Sequence, residues 1–235
     1  PYVARLTPRL QAMPICQTSL PHTFEMTAGK SIFAQFATQQ QEMLDNLKGK
    51  HVMLASGSPR RQELLREMGV EFDTVAKTGV GEQYPENLNP KDVAEYVANE
   101  KADAYAADIN DNDILITADT VVLLDKQILG KPKDEDEARR MLRELSGKTH
   151  KVITGVCIVT RGGRTSFSVK TKVTMRALPQ EAIDHYVSTA HPLDKAGAYG
   201  IQEWIGIIGI DYIEGSFQNV MGLPTQRLYA ELAAI

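Results

Sequence analysis

From His51 onward, short apolar runs of strand type alternate with stretches of helical period, until a long two-stranded run takes over. "HVMLAS" (51–56) is a buried-type strand, "PRRQELL" (59–65) turns into a helix behind it, and "VEFDTVA" (70–76) is a second strand. "LNPKDVAEYVANEKADAYAAD" (88–108) predicts a helix capped by Asn89 with Pro90 at its first position, followed by the strands "ILITAD" and "TVVLLD" (114–125). "DEDEARRMLRELSGK" (134–148) is a helix, acidic at its start and stopped by Gly147. After it, "HKVITGVCIVTRGGRTSFSVKTKVTMR" (150–176) reads as two strands around a Gly-Gly turn. A helix over 180–188, a Gly-rich β segment to Gly215 and a last helix after Pro224 complete the pattern. Early alternation followed by a hairpin implies an α/β fold with a mixed sheet.

Composition narrows the functions such a fold can serve. The sequence has 235 residues, 43% of them apolar and 24% charged, with a formal charge of -4. That balance argues against a dedicated nucleic-acid binder, so any basic site must be local. Cys16 and Cys157 are too few for a disulfide framework, which makes a reducing cytoplasmic compartment the expectation. No run approaches the ~18 apolar residues of a membrane span, so no membrane partner is expected. Residues 1–28, rich in Pro, Thr, Gln and Arg and without a clear period, form an irregular leader; residues 29–49 predict an added helix, and 50–235 the main domain.

Within that domain, "LASGSPRRQELL" (54–65) holds an electrostatic oddity. Ser58 is placed as N-cap and Pro59 at the first helical position, yet the next two residues are Arg60 and Arg61. A helix N-terminus carries about half a positive charge, so cations there cost about 0.3 to 1 kcal/mol each. Ser56, Gly57 and Ser58 arrive at the carboxyl end of a strand, where α/β folds commonly bind ligands, and backbone N–H groups with two guanidiniums suit an oxyanion or polyphosphate. The plainer reading pairs the arginines with Glu63 and Glu67 across one turn.

Asp119 and Thr120 interrupt a strongly apolar stretch, as a strand-end turn or as a carboxylate aimed into a cleft to hold a metal or activate water. Glu82, in "GVGEQ", is the candidate second carboxylate for a Mg²⁺ or Mn²⁺ ion. Lys101 and Lys131 are cations at loop or helix positions, Lys131 fixed between Gly130 and Pro132. His150 is either a proton shuttle or a structural residue at a strand start. In "DKAGAYGIQ" (194–202), Asp194 and Lys195 can pair, small residues let backbone approach a flat ligand, and Gln202 offers donor and acceptor to a nucleobase edge; a Gly-rich strand beside a bulge is the alternative.

Together and in this order, "SGSPRR", "ADT", "GKP", "SGKTHKVITG", "DKAGAYGIQ" and "GSFQNVMGLP" resemble the Maf-like nucleoside triphosphate pyrophosphatases, from about His51 to about Leu232. The resemblance implies a mixed twisted sheet bent around a deep cleft, as in the inosine-triphosphatase-like folds, a single domain in two lobes, and a homodimer. It implies metal-dependent hydrolysis of a nucleoside triphosphate to monophosphate and pyrophosphate, with Asp119 as general base, Glu82 and Asp119 as metal ligands, and Ser56, Ser58, Arg61, Lys101 and Lys131 around the phosphates. The positions matching Arg60, Thr120 and Gln202 distinguish branches of the family, and this set resembles the branch acting on dTTP and UTP. Members are linked to removal of modified pyrimidine nucleotides and to arrest of cell division. A nucleotidyltransferase and a nucleotide-sensing regulator of septum formation are the competing readings.

Overall fold

A computed structural model gives the fold, and it describes residues 42–75, 77 and 83–235. The predicted leader lies outside those residues, as does most of the added helix, of which the structure describes a 3-10 turn, Glu42–Leu47, with Leu44 buried.

Among the described residues seven strands form one sheet: β1 (His51–Leu54), β2 (Asp73–Thr74), β3 (Asp113–Leu124), β4 (Gln127–Leu129), β5 (Thr149–Thr160), β6 (Gly163–Met175) and β7 (Ile210–Glu214). The order is β2-β1-β3-β5-β6-β7, with β4 also paired to β3. β1 runs parallel to β2 and β3, and the remaining pairings are antiparallel, so the expected mixed sheet is observed. The helices are α1 (Pro59–Glu67), α2 (Val93–Asp103), α3 (Glu135–Leu145), α4 (Gln180–Ala190), α5 (Trp204–Gly209), α6 (Phe217–Met221) and α7 (Thr225–Leu232).

The centre of the sheet is β3, which differs from its prediction. It is one continuous strand of 12 residues, not two. Strand geometry sends alternate side chains to opposite faces. Leu115 joins Ala98 and Ala102 of α2 in one cluster, while Val121 and Leu123 join Val93, Ala94 and Val97 of the same helix in another. Ile114 and Ile116 point the other way, into a cluster with Leu64 and Leu65 of α1 and Leu228 and Leu232 of α7. Val122 and Leu124, on that same face, meet Met141, Leu142 and Leu145 of α3 and Ile183 and Val187 of α4. Met221 packs against both of the clusters on this face.

One edge of β3 is paired throughout by β5, from Ile114 to Leu123. Along the other edge β1 covers Asp113 to Ile116 and β4 covers Val122 to Leu124. Among the described residues no strand pairs with that edge between them, and the cleft opens there.

Several boundaries move for identifiable reasons. α2 begins at Val93, with Asp92 at its N-cap position, because Asn89 instead accepts a hydrogen bond from the Lys91 N–H and forms a turn ahead of the helix. Among the described residues of "VEFDTVA", β2 keeps only Asp73–Thr74, both exposed at the sheet edge. The hairpin loop is Arg161-Gly162, since Gly163 already pairs with Thr160. Of the Gly-rich β segment expected up to Gly215, β7 forms the last part, and ahead of it the chain makes a 3-10 turn, Ala196–Ala198, and then α5. Gly206 explains α5, because a Cβ there would lie 2.0 Å from the Ile201 carbonyl oxygen. α6 was not anticipated; the Ser216 side chain caps it by accepting from the Asn219 N–H, a contact worth about 1 kcal/mol.

Candidate active site

The gap beside β3 is the floor of a cleft of about 610 Å³. Ser56, Ser58, Arg60, Arg61, Lys101, Asp119, Thr120, Lys131 and Gln202, which lie far apart in the sequence, all line it. Glu82, the proposed second carboxylate, lies outside the described residues.

The alternation of β3 separates its two polar residues. Asp119 faces α2, where the Lys101 ammonium donates to its Oδ1 at 2.7 Å. Both side chains are largely enclosed, at 15% and 11% exposure for Lys101 and Asp119. Enclosure strengthens their attraction and excludes competing water. The close seating of α2 depends on Gly155, which is opposite Asp119 in the ladder: a Cβ there would lie 2.3 Å from the Ala94 carbonyl carbon and 2.3 Å from the Glu95 nitrogen. Asp119 was expected at a strand end but sits within the strand, and its polarity is met by a partner from the covering helix.

Thr120 faces the opposite side. Its Oγ1 accepts from Arg61 Nη2 at 2.9 Å and lies 3.0 Å from Thr154 Oγ1, whose hydroxyl donates to the Asn219 carbonyl at 2.9 Å. Arg61 also donates from Nε to the Gly222 carbonyl at 2.8 Å and from Nη1 to the Ala118 carbonyl at 3.0 Å. The Ala118 oxygen belongs to the unpaired edge of β3, so the guanidinium serves it where the ladder stops. Arg61 thereby holds α1, β3 and α6 together at the cleft wall, a role beyond the expected phosphate contact.

Ser56 Oγ accepts from the Ser58 N–H at 3.2 Å, and Arg61 Nη1 lies 3.4 Å away. Ser58 takes the N-cap position of α1 with extended backbone, but its side chain makes no cap bond. A Cβ added to Gly57 would meet nothing within 4 Å, so this turn leaves open space. Arg60 reaches across the cleft mouth to Asp194 Oδ2 at 2.8 Å, and not to Glu63 or Glu67. Asp194 Oδ1 accepts from Lys195 Nζ at 2.7 Å. Burial opposes ionisation of Asp194, but these two donors outweigh it and hold the carboxyl below the ordinary carboxylate range.

Gln202 is half-buried, and its Oε1 is enclosed without a hydrogen-bond partner among the described residues. Buried acceptors are nearly always paired, so this atom is poised for a ligand donor. Lys195 was missed as a cleft residue, although its side chain is 10% exposed and lines the wall. The sequence signal was its place in "DKAGAYGIQ", but a lysine beside an aspartate also describes ordinary surface pairs. His150 takes the structural role: it is 1% exposed, its Nε2 lies 2.7 Å from the Tyr199 hydroxyl, and burial pushes its pKa down to about 4.

No group of three or more His, Cys, Asp or Glu suited to a metal occurs among the described residues. Mg²⁺ does not need one, since it commonly takes one or two carboxylates and completes its shell with substrate phosphates and water. Asp119 in the cleft wall fits that modest donor set. No helix among the described residues is long and apolar enough to cross a membrane.

Comparison with known proteins adds an independent line. The family model described as "Maf-like protein" matches residues 51–235. A dTTP/UTP pyrophosphatase of Phocaeicola vulgatus is 52% identical over 190 residues, which span 81% of this chain and 98% of that protein. One from Porphyromonas gingivalis is 53% identical over 192 residues, spanning 81% of this chain and 96% of that protein. Among solved structures, a HAM1 protein from Coxiella burnetii aligns over 79% of this chain and 100% of its own, at 14% identity and a TM-score of 0.43.

Proposed function

The chain belongs to the Maf-like family, and from that premise we propose that it is a pyrophosphatase converting dTTP and UTP to the monophosphate and pyrophosphate. The observation that carries the reading is the enclosed Asp119–Lys101 pair at the stretch of β3 that β1 and β4 leave open, facing a cleft whose other walls hold Arg60, Lys131 and Gln202.

In the proposed reaction Asp119 accepts a proton from a water molecule as that water attacks the α-phosphorus. The new P–O bond forms, the bond to the bridging α–β oxygen breaks, and pyrophosphate leaves with the electron pair. Lys101 fixes the orientation of the Asp119 carboxylate through its 2.7 Å contact. Lys131, the Ser56–Ser58 turn and the N-terminus of α1 receive the phosphate oxygens, where negative charge grows in the transition state. Thr120 and Gln202 meet the nucleoside, and the unpartnered Gln202 Oε1 accepts the N–H of a pyrimidine ring. A divalent cation held by Asp119, with Glu82 as the second carboxylate, would neutralise phosphate charge. The proposal includes a homodimer, supported by the exposure of Trp204, Ile207 and Tyr212 along α5 and the edge strand β7; a monomeric mass in light scattering would remove it.

Incubation with dTTP or UTP and Mg²⁺ alone, with products separated by ion exchange, tests the reading. The expected products are dTMP or UMP with pyrophosphate; Asp119→Asn lowers turnover by roughly 10²–10⁴-fold while calorimetry still detects nucleotide. Pyrophosphate released only when a sugar phosphate is added would mark a transferase instead, and binding without any product would mark a sensor.

A further inference from the structure

Glu203, next to Gln202 in the sequence, ends a chain of alternating charges whose other end, Arg60, is on the opposite wall of the cleft. Arg60 donates to Asp194 at 2.8 Å, Lys195 donates to Asp194 at 2.7 Å, and the same ammonium lies 3.2 Å from Glu203 Oε1. The second Glu203 oxygen accepts from the Tyr186 hydroxyl, which in turn accepts from the Gly200 N–H at 3.1 Å. Two cations and two anions alternate, so the chain neutralises itself and leaves Arg60 little charge to spend on a triphosphate.

Its members bracket the base-reading segment. Asp194 and Lys195 precede it, Glu203 follows Gln202 directly, and Tyr186 comes from α4. Gly200 is part of the fit, because a Cβ there would lie 2.6 Å from the Glu203 carboxyl carbon and push the carboxylate from its place. The Lys195 side chain is only 10% exposed, so water does not compete freely for either of its partners.

We infer that Glu203, acting through Lys195 and Tyr186, is a positioning residue for base selection: it fixes the separation of Arg60 and Gln202 across the cleft and thereby decides which base is accepted. The inference rests on the pyrophosphatase reading and adds to it the origin of its selectivity. A site that reads a base by hydrogen bonds discriminates strongly only while its donors and acceptors stay in register, since a mismatched base leaves buried polar groups unpaired. Cytosine presents an amino group and an unprotonated ring nitrogen where thymine and uracil present a carbonyl and an N–H, which makes dCTP the sensitive competitor.

The test compares kcat/KM for dTTP and dCTP in the wild type, in Glu203→Gln, which keeps the volume but removes the charge, and in Tyr186→Phe, which removes only the hydroxyl. The expected result is a roughly tenfold fall in the dTTP:dCTP ratio in both variants, carried by a raised KM for dTTP with kcat within about threefold of the wild type. Purely structural loosening would lower both nucleotides alike and leave the ratio in place, and that outcome overturns the inference alone. A wild type that hydrolyses neither dTTP nor UTP overturns the pyrophosphatase reading and this inference with it.

Discussion

Arg61 shows how much of a site's logic sits in backbone acceptors that a sequence does not display. Its type and its place behind "SGSP" were legible as a cation at a phosphate-binding turn, but the carbonyls of Ala118 and Gly222 that it serves are 57 and 161 residues away. Those acceptors explain why a helix tolerates cations in its first turn: the dipole penalty of about 0.3 to 1 kcal/mol is outweighed by charge-assisted bonds worth about 1.5–3 kcal/mol each. Arg61→Ala leaves the Ala118 oxygen without its donor on an unpaired strand edge, so the ligand-free protein should lose about 2–3 kcal/mol, read in urea unfolding. Arg61→Lys should recover little, because one ammonium cannot reproduce the fork that reaches Gly222, Ala118 and Thr120 together. Unchanged stability in Arg61→Ala would return this side chain to a purely ligand-binding role.

Among the elements, β3 departs furthest from the pattern of its sequence, as one strand of 12 residues. Asp119 and Thr120 looked like a break because polar residues inside an apolar run usually end a strand. A strand covered on both faces can carry them if each finds a partner on its own side, and here α2 supplies Lys101 while α1 supplies Arg61. The alternation of side chains was legible from residue order; the identity of the covering helices was not, because it depends on long-range packing. Gly155 ties the two together. Gly155→Ala would drive a Cβ into the Ala94 and Glu95 backbone at 2.3 Å, which no rotamer change can relieve, so α2 must shift outward. Overpacking of this kind costs about 1–3 kcal/mol or more. Because the shift also draws Lys101 away from Asp119, kcat should fall by at least tenfold under conditions where circular dichroism still shows a folded protein. Full activity in folded Gly155→Ala would mean that the Lys101–Asp119 contact does not matter to turnover.

For the molecule as a whole, the alternation of strands and helices and the later hairpin were enough to anticipate a mixed sheet, whereas the cleft followed only from the family resemblance, since it arises from β1 and β4 covering different ends of one strand edge. The stability of that whole should depend on pH through two histidines of opposite sign. His150 is buried against Tyr199, and burial lowers its pKa from 6.5 to about 4. Between those values the unfolded chain binds a proton that the folded protein refuses, so stability falls as pH drops through this window, by about 3 kcal/mol in total. His51 behaves in reverse: hydrogen bonds to Asp113 first and Asp73 second raise its pKa above 6.5, so its contribution is complete below that value and is lost as pH climbs through the raised one. His51 is half exposed, and solvent screens its share. Asp113 and Asp194 are held below the ordinary carboxylate value of 3.8, so their loss begins only in stronger acid. Urea midpoints at intervals from pH 4.5 to 8 should therefore decline toward acid in the wild type and lose most of that decline in His150→Asn, after allowance for its lower overall stability. His51→Gln should keep the acid decline and flatten only the alkaline side; an acid decline that persists in His150→Asn would assign it to other groups.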